Sequence, residues 1–305
     1  MATKNSPAKF KEYLQEGFLV LLWRQWRTLG ITAYSPETKQ LIDLEALILA
    51  TSIAAEQDQR LWTAVIRWLA CFQDWVNQAR LKRMSAAFIK PDEYLKKPLI
   101  KKEIWQEVEL LLSTTLSSKK TTTNTSRAKR TLTPPLLKKP PLLQLYLRGI
   151  FGVNARAELI LFLLVNGEGN SNQIARETFY DQKNIYVILE RWAESGFVTK
   201  ESRGKQNQYS LDSGDVFLQS NISSSSFWSW PPFFQLYSRL LIAASSPPWS
   251  NDPYLLSSLF RDVYPQAMSI SKKNRLLFPD PKLFPGDNYF PPMSQKLLDL
   301  LKSSL

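Results

Sequence analysis

Between Ser113 and Pro141 the chain reads "STTLSSKKTTTNTSRAKRTLTPPLLKKPP". That stretch holds seven Lys and Arg, no Asp or Glu, and almost no apolar side chain before Leu136. Such a segment cannot bury enough surface to offset the entropy of ordering it, so the expectation is a disordered linker over 113–141. It divides the chain before any element is assigned: a helical pattern over 1–112 precedes it, and 142–213 and 214–305 follow. Two readings of the linker stay open. It is a cationic arm lying along phosphates, or a solvated spacer kept soluble by its charge.

The net charge of the 305 residues is +12, yet 142–211 carries eight basic against seven acidic residues, and 212–305 does the same. Bulk charge therefore says little about partners. There is one cysteine, Cys71, and no histidine. An intrachain disulfide and a Cys/His zinc site are excluded, and the commonest general base is missing. With no Walker A, Gly-x-Ser-x-Gly or Gly-x-Gly-x-x-Gly pattern, the expectation is a protein that is not an enzyme and uses no metal or cofactor. No apolar run reaches a bilayer span, and "MATKNSPAKF" lacks a signal-peptide core, so a cytoplasmic protein without membrane contact is expected.

Ahead of the linker, "KEYLQEGFLVLLWRQWRTLG" places Leu14, Phe18, Leu21, Leu22 and Trp26 near helical spacing and stops at Gly30. Asp43 and Asp58 are N-cap candidates for "DLEALILATSIAAE" and "DQRLWTAVIRWLACF". Asn77 opens "NQARLKRMSAAFI", which presents Arg80, Lys82 and Arg83 as a second set of candidate DNA contacts. A bundle with a solvated basic face is the favoured reading there, because no strand pair follows to form a wing.

The stretch 150–211 carries more information. Asn154 can cap a helix with Leu159, Ile160, Phe162, Leu163 and Leu164, and "NGEGN" ends it. Ser171 then caps a short helix with Ile174 and Ala175 inward. After the turn "TFYD", Asp181 caps a third helix whose Ile185, Ile188, Leu189 and Trp192 fall on one stripe, with Gly196 as its stop. "FVTKES" and "QNQYSL" alternate like strands of a hairpin turning at Gly204. Opposite the apolar stripe, the third helix turns outward Gln182, Lys183, Tyr186 and Val187, with Asn184 at the edge. Amides suit adenine, and lysine suits guanine or phosphate. Arg203 and Lys205 mark the hairpin tip, on the surface expected to carry the same face.

This pattern, "NARAELILFLL…SNQIARETFYDQKNIYVILERWAESGFV…GKQNQYSL", resembles a winged helix-turn-helix of the MarR/ArsR-like transcriptional regulators. More loosely, "IDLEALILA", "DQRLWTAVIRWL" and "FPGDNYFPPMSQKLLDLL" resemble uncharacterised bacterial regulators found beside nucleotidyltransferase-like toxin or defence genes. The resemblance implies a transcriptional regulator, in the first place a repressor, that binds double-stranded DNA sequence-specifically. Its DNA-binding residues would be Ser171, Asn172, Gln182, Lys183, Asn184, Tyr186, Val187, Arg191, Arg203 and Lys205. The alternative is a non-catalytic, antitoxin-like adaptor that holds a neighbouring-gene protein through the same module.

Near the C-terminus, Trp228, Trp230, Phe233, Phe234, Tyr237 and Trp249 cluster in sequence. A core is favoured over a pocket or dimer interface. A homodimer is expected on a palindromic site, with Leu297, Leu298, Leu300 and Leu301 left partly exposed to form its interface. The expected fold is mainly α: a helical N-terminal domain, the linker, a winged helix-turn-helix with a short β-hairpin, and a helical C-terminal domain.

Overall fold

The computed structural model describes residues 6–113, 135–204, 206–211, 228–272 and 276–305. The middle of the expected linker, 114–134, and Lys205 lie outside them. The described chain is mainly helical, with three short strands among the described residues.

Side-chain caps set the first helix starts. Ser6 accepts the N–H of Lys9 ahead of α1 (Pro7–Thr28). Asp43 opens α2 (Leu44–Ala54), Asp58 opens α3 (Gln59–Phe72) and Asn77 opens α4 (Gln78–Ile89), each accepting an N–H that the helix itself leaves unpaired. α5 (Lys102–Ser113) follows. The described residues resume before the end of the expected linker: Pro140–Leu142 form a 3₁₀ turn, Pro141 is buried, and its carbonyl accepts the Ile42 N–H at 2.9 Å. The linker boundary at 141 is thus corrected towards its start, because Pro141 and Leu142 dock beside the first turn of α2.

Next come α6 (Leu143–Phe151), α7 (Ala155–Asn166), β1 (Glu168–Gly169), α8 (Ser171–Thr178), α9 (Gln182–Glu194), β2 (Val198–Arg203) and β3 (Gln206–Leu211). The chain ends with α10 (Trp230–Ser245), α11 (Pro253–Lys272) and α12 (Phe290–Ser303). No helix among the described residues is long and apolar enough to cross a membrane.

α2 and α10 are buried almost all round and form the centre of a large helical body. α1 packs on α10 and α12. Phe10 meets Phe260 and Phe290 edge-on, with centroids 5.6 and 5.9 Å away, and Phe18 meets Phe234 at 6.0 Å. At Gly17 a Cβ would stand 2.8 Å from Leu301 Cδ2, so α1 and α12 approach more closely there than a side chain allows. One hydrophobic cluster runs from Phe10 to Leu301. The helical segments on either side of the linker, read apart in the sequence, share that core.

Trp228, Trp230, Phe233, Phe234 and Tyr237 lie inside this core, and Trp249 is half-buried at its edge. Leu297, Leu298, Leu300 and Leu301 are buried too, which corrects the expectation that they face a dimer partner. Leu301 meets α1 at Gly17, and all four leucines belong to the cluster that holds Phe10, Leu14 and Phe18.

Residues 155–211 make a smaller unit with its own core: Leu159, Phe162, Leu163, Ile174, Ile185, Leu189, Val198 and Tyr209. Its three strands are antiparallel in the order β1-β3-β2, and β2 pairs with β3 from Val198↔Leu211 to Arg203↔Gln206. Gly204 turns the hairpin at φ +64°. Asn170, not Ser171, caps α8; Ser171 is the first helical residue, so the helix starts one position earlier than expected. Leu147 and Leu41 of the body meet Ala157, Ile160 and Leu161 on the back of α7 in a third cluster.

Candidate nucleic-acid interface

α9 is the element on which the candidate contacts converge. Asp181 accepts the Asn184 N–H at 3.1 Å and starts it. One side is locked inward by Ile185 and Leu189, with Ile188 and Trp192 half-buried. Gln182, Lys183, Asn184, Tyr186, Val187 and Arg191 are all exposed, the apolar pair at 41% and 39%. The structure thus gathers six of the expected site residues on one outward face. Ser171 and Asn172 join them at the start of α8, where Ser171 Oγ accepts a hydrogen bond from Gln182 Nε2 at 3.0 Å. Asn170 Nδ2 donates to Gln206 Oε1 at 3.1 Å, extending the amide-rich surface to the hairpin.

The described hairpin cations, Lys200 and Arg203, are paired within the unit. Arg203 donates to Glu168 at 2.7 Å and to Glu201 at 2.9 Å. Its hydrogen bonds to those carboxylates, that to Glu201 foremost, push the guanidinium pKa up. Lys200 bonds Glu190 at 2.8 Å, and the Tyr209 hydroxyl donates to the same carboxylate at 2.5 Å. Those two bonds hold Glu190 below the usual carboxylate range and tie α9 to the sheet. Arg203 therefore stands between two carboxylates while its side chain stays about half exposed.

Of the second set, Arg80 does not face solvent. It is 3% exposed, with both Nη atoms on Asp43 at 2.7 and 2.6 Å and Nη1 also 2.6 Å from Glu45. The expectation that it contacts DNA is corrected: an apolar face of α4 carries it into the body, where only paired carboxylates make a buried charge tolerable. Arg148 extends the network to Glu45 and to Glu158, and Gln144 adds a bond to Glu158. Burial pushes Asp43 and Glu45 up, but the adjacent guanidiniums, Arg80 for Asp43 and Arg148 for Glu45, override it and hold both below their ordinary values. Sequence reading missed this network. Its signal was a charge inside an otherwise apolar helix, as at Glu45 in "DLEALILA", Arg148 in "LQLYLRGIF" and Glu158 in "ARAELILFLL".

The same α4 holds the turn between α8 and α9. Arg80 Nε donates to the Thr178 carbonyl at 3.0 Å, Arg83 Nη1 donates to the Phe179 carbonyl at 3.0 Å, and Asn77 Nδ2 donates to the Tyr180 hydroxyl. Phe179 sits at φ +62°, a left-handed conformation that a bulky residue keeps only when its surroundings insist. The Arg80 guanidinium lies 5.9 Å from the Phe179 ring, and that of Arg83 5.6 Å from the Tyr180 ring. Arg83 and Lys82 are exposed.

Among the described residues no group of three or more His, Cys, Asp or Glu is placed to hold a metal ion. No family profile matches the chain, and no curated protein or solved structure is significantly similar to it.

Proposed function

We propose that residues 155–211 form a winged helix-turn-helix and that the protein is a transcriptional regulator binding double-stranded DNA through the N-terminal face of α9. The observation that carries this reading is that face. Gln182, Lys183, Asn184, Tyr186 and Val187 have no part in the core, yet they stand on a helix held rigidly from behind. Supporting it are the order helix, strand, helix, helix, hairpin, with β3 central, and the three-residue turn between α8 and α9. A helix entering the major groove by its first turns brings those side chains to base edges. Gln182 and Asn184 match the donor and acceptor of adenine, Lys183 reaches guanine or phosphate, and Val187 offers apolar contact to a thymine methyl.

The test is a titration of the full chain against a duplex enriched from a random pool and against random duplex. Gln182→Ala or Asn184→Ala should lose about 1–3 kcal/mol on the enriched site and little on random DNA. A second reading, in which α9 holds a protein partner, is favoured by the exposure of Tyr186 and Val187 and by the paired state of Arg203. Failure to enrich any duplex would give that reading the lead.

A further inference from the structure

A helix-turn-helix needs a grip on the phosphate backbone to set its register, and salt-dependent affinity comes from that grip. Among the described residues of the hairpin, Arg203 is paired with Glu168 and Glu201 and Lys200 with Glu190, so neither is a lone cation. The body presents another source of that grip. α4 contains two exposed cations, Lys82 and Arg83, and not a single Asp or Glu. Arg80, Leu81, Met84, Ser85 and Phe88 turn inward. Helical geometry then places Lys82 and Arg83 on either side of the outward face, with the small Ala79 and Ala86 between them. Among the described residues of α4, only small side chains stand between the two cations on that face.

Its position matters as much as its charge. Arg83 donates to the Phe179 carbonyl and lies over the Tyr180 ring, immediately before Asp181 caps α9. One edge of the α4 face is thereby joined to the end of α9 that carries Gln182 and Lys183. Arg83 spends one N–H on that carbonyl. No other hydrogen-bond partner engages its guanidinium, and none engages the Lys82 ammonium, among the described residues. Arg80, by contrast, is consumed by Asp43 and Glu45.

Resting on the reading above, we infer that α4 of the helical body is a second DNA-contacting element, in which Lys82 and Arg83 bind backbone phosphates flanking the bases met by α9. The interface then spans two parts of the chain that the linker separates. The body does more than carry the module: it supplies the sequence-independent part of the binding energy.

The experiment measures binding of the full chain to random-sequence and enriched duplexes at several salt concentrations. Lys82→Ala, which breaks no intramolecular bond among the described residues, should make the log–log salt slope shallower by about 0.9. Lys82→Ala with Arg83→Ala should double that change and weaken both duplexes alike. Arg83→Lys, which keeps the charge, should keep the slope. Lys9→Ala with Lys302→Ala removes the same charge from α1 and α12 and should leave the slope where it was. If the α4 double variant matches this control, the inference is overturned while the functional reading stands. If Arg83→Ala alters preference between duplexes and not the slope, Arg83 acts only through the turn, which also overturns its phosphate role. A wild-type chain that binds neither duplex overturns both.

Discussion

Residues 155–211 bury Leu159, Ile174, Ile185, Leu189, Val198 and Tyr209 against one another, all drawn from one short stretch of chain. The helical body works the other way. It sets Phe10 against Phe260 and Phe290, Phe18 against Phe234, and Gly17 against Leu301, so its core closes only when the two ends of the chain meet. Closing a long loop costs entropy that grows slowly with its length, so a long insertion between core-forming helices is tolerable. The two regions are joined by the small apolar cluster of Leu41 and Leu147 with Ala157, Ile160 and Leu161, and beside it by polar bonds. The Asp43, Glu45, Arg80, Arg148 and Glu158 network and the α4 bonds to the turn hold the small unit on the body.

The strongest way to break this arrangement is to unpair that network. Glu45→Ala leaves Arg148 and Arg80 buried with a carboxylate removed, and should cost about 3–5 kcal/mol in urea unfolding. Acid should do the same more gently. Asp43 and Glu45 are held below their ordinary values, so their contribution is complete above those values and is lost as pH falls through the folded ones. Stability of the wild type should therefore stay level in this respect at neutral pH and drop below about pH 4, while Glu45→Ala shows a smaller drop.

Next in size is Leu301→Ala. As a buried contact of α1 it should cost about 2–5 kcal/mol, with an unfolding midpoint independent of protein concentration. A midpoint that rises with concentration would return this helix to a dimer interface. A smaller effect of opposite sign is expected at Gln25, whose buried amide has neither its oxygen nor its nitrogen paired among the described residues. Gln25→Met keeps the shape, drops the unpaired polar atoms, and should raise stability by about 1–2 kcal/mol. Both changes belong to the body and should leave the hydrogen-exchange protection of 155–211 below the level of global unfolding untouched.

The contrast also explains what could be read from the sequence. Caps at Asn154 and Asp181, the glycines at 167, 196 and 204, and the stripe Ile185, Ile188, Leu189, Trp192 act within a few residues of themselves, so they were visible in order along the chain. The outward face of α9 followed by subtraction. The pairing of chain ends was not visible, because periodicity shows which side of α12 is apolar but not that α1 covers it. Leu297 and Leu301 were thus read as exposed for want of a partner. Arg80 was read as a contact because a cation in a basic run looks solvated until Asp43 and Glu45 arrive from another helix. The ties of Arg203 to Glu168 and Glu201 depend on the curl of the hairpin, which alternation alone does not specify.

The smallest change sharpens the comparison most. Asp181 serves the small unit twice over: it caps α9, and it places a negative charge at the helix end that the proposed function turns toward phosphates. Asp181→Asn keeps the capping oxygen and removes the charge. Asparagine caps about as well as aspartate, and only the favourable charge–dipole interaction is lost, so stability should fall by no more than about 0.3–1 kcal/mol. Binding should move the other way, with tighter association to random and enriched duplexes alike, because a repulsive carboxylate has left the interface without touching a base contact. Asp181→Ala separates the two roles: it removes the same charge but also the cap, costing about 1 kcal/mol and loosening the turn that carries Gln182 and Lys183. If Asp181→Asn leaves DNA affinity unchanged at low salt, the N-terminal end of α9 does not approach phosphate, and the face it begins serves some other partner.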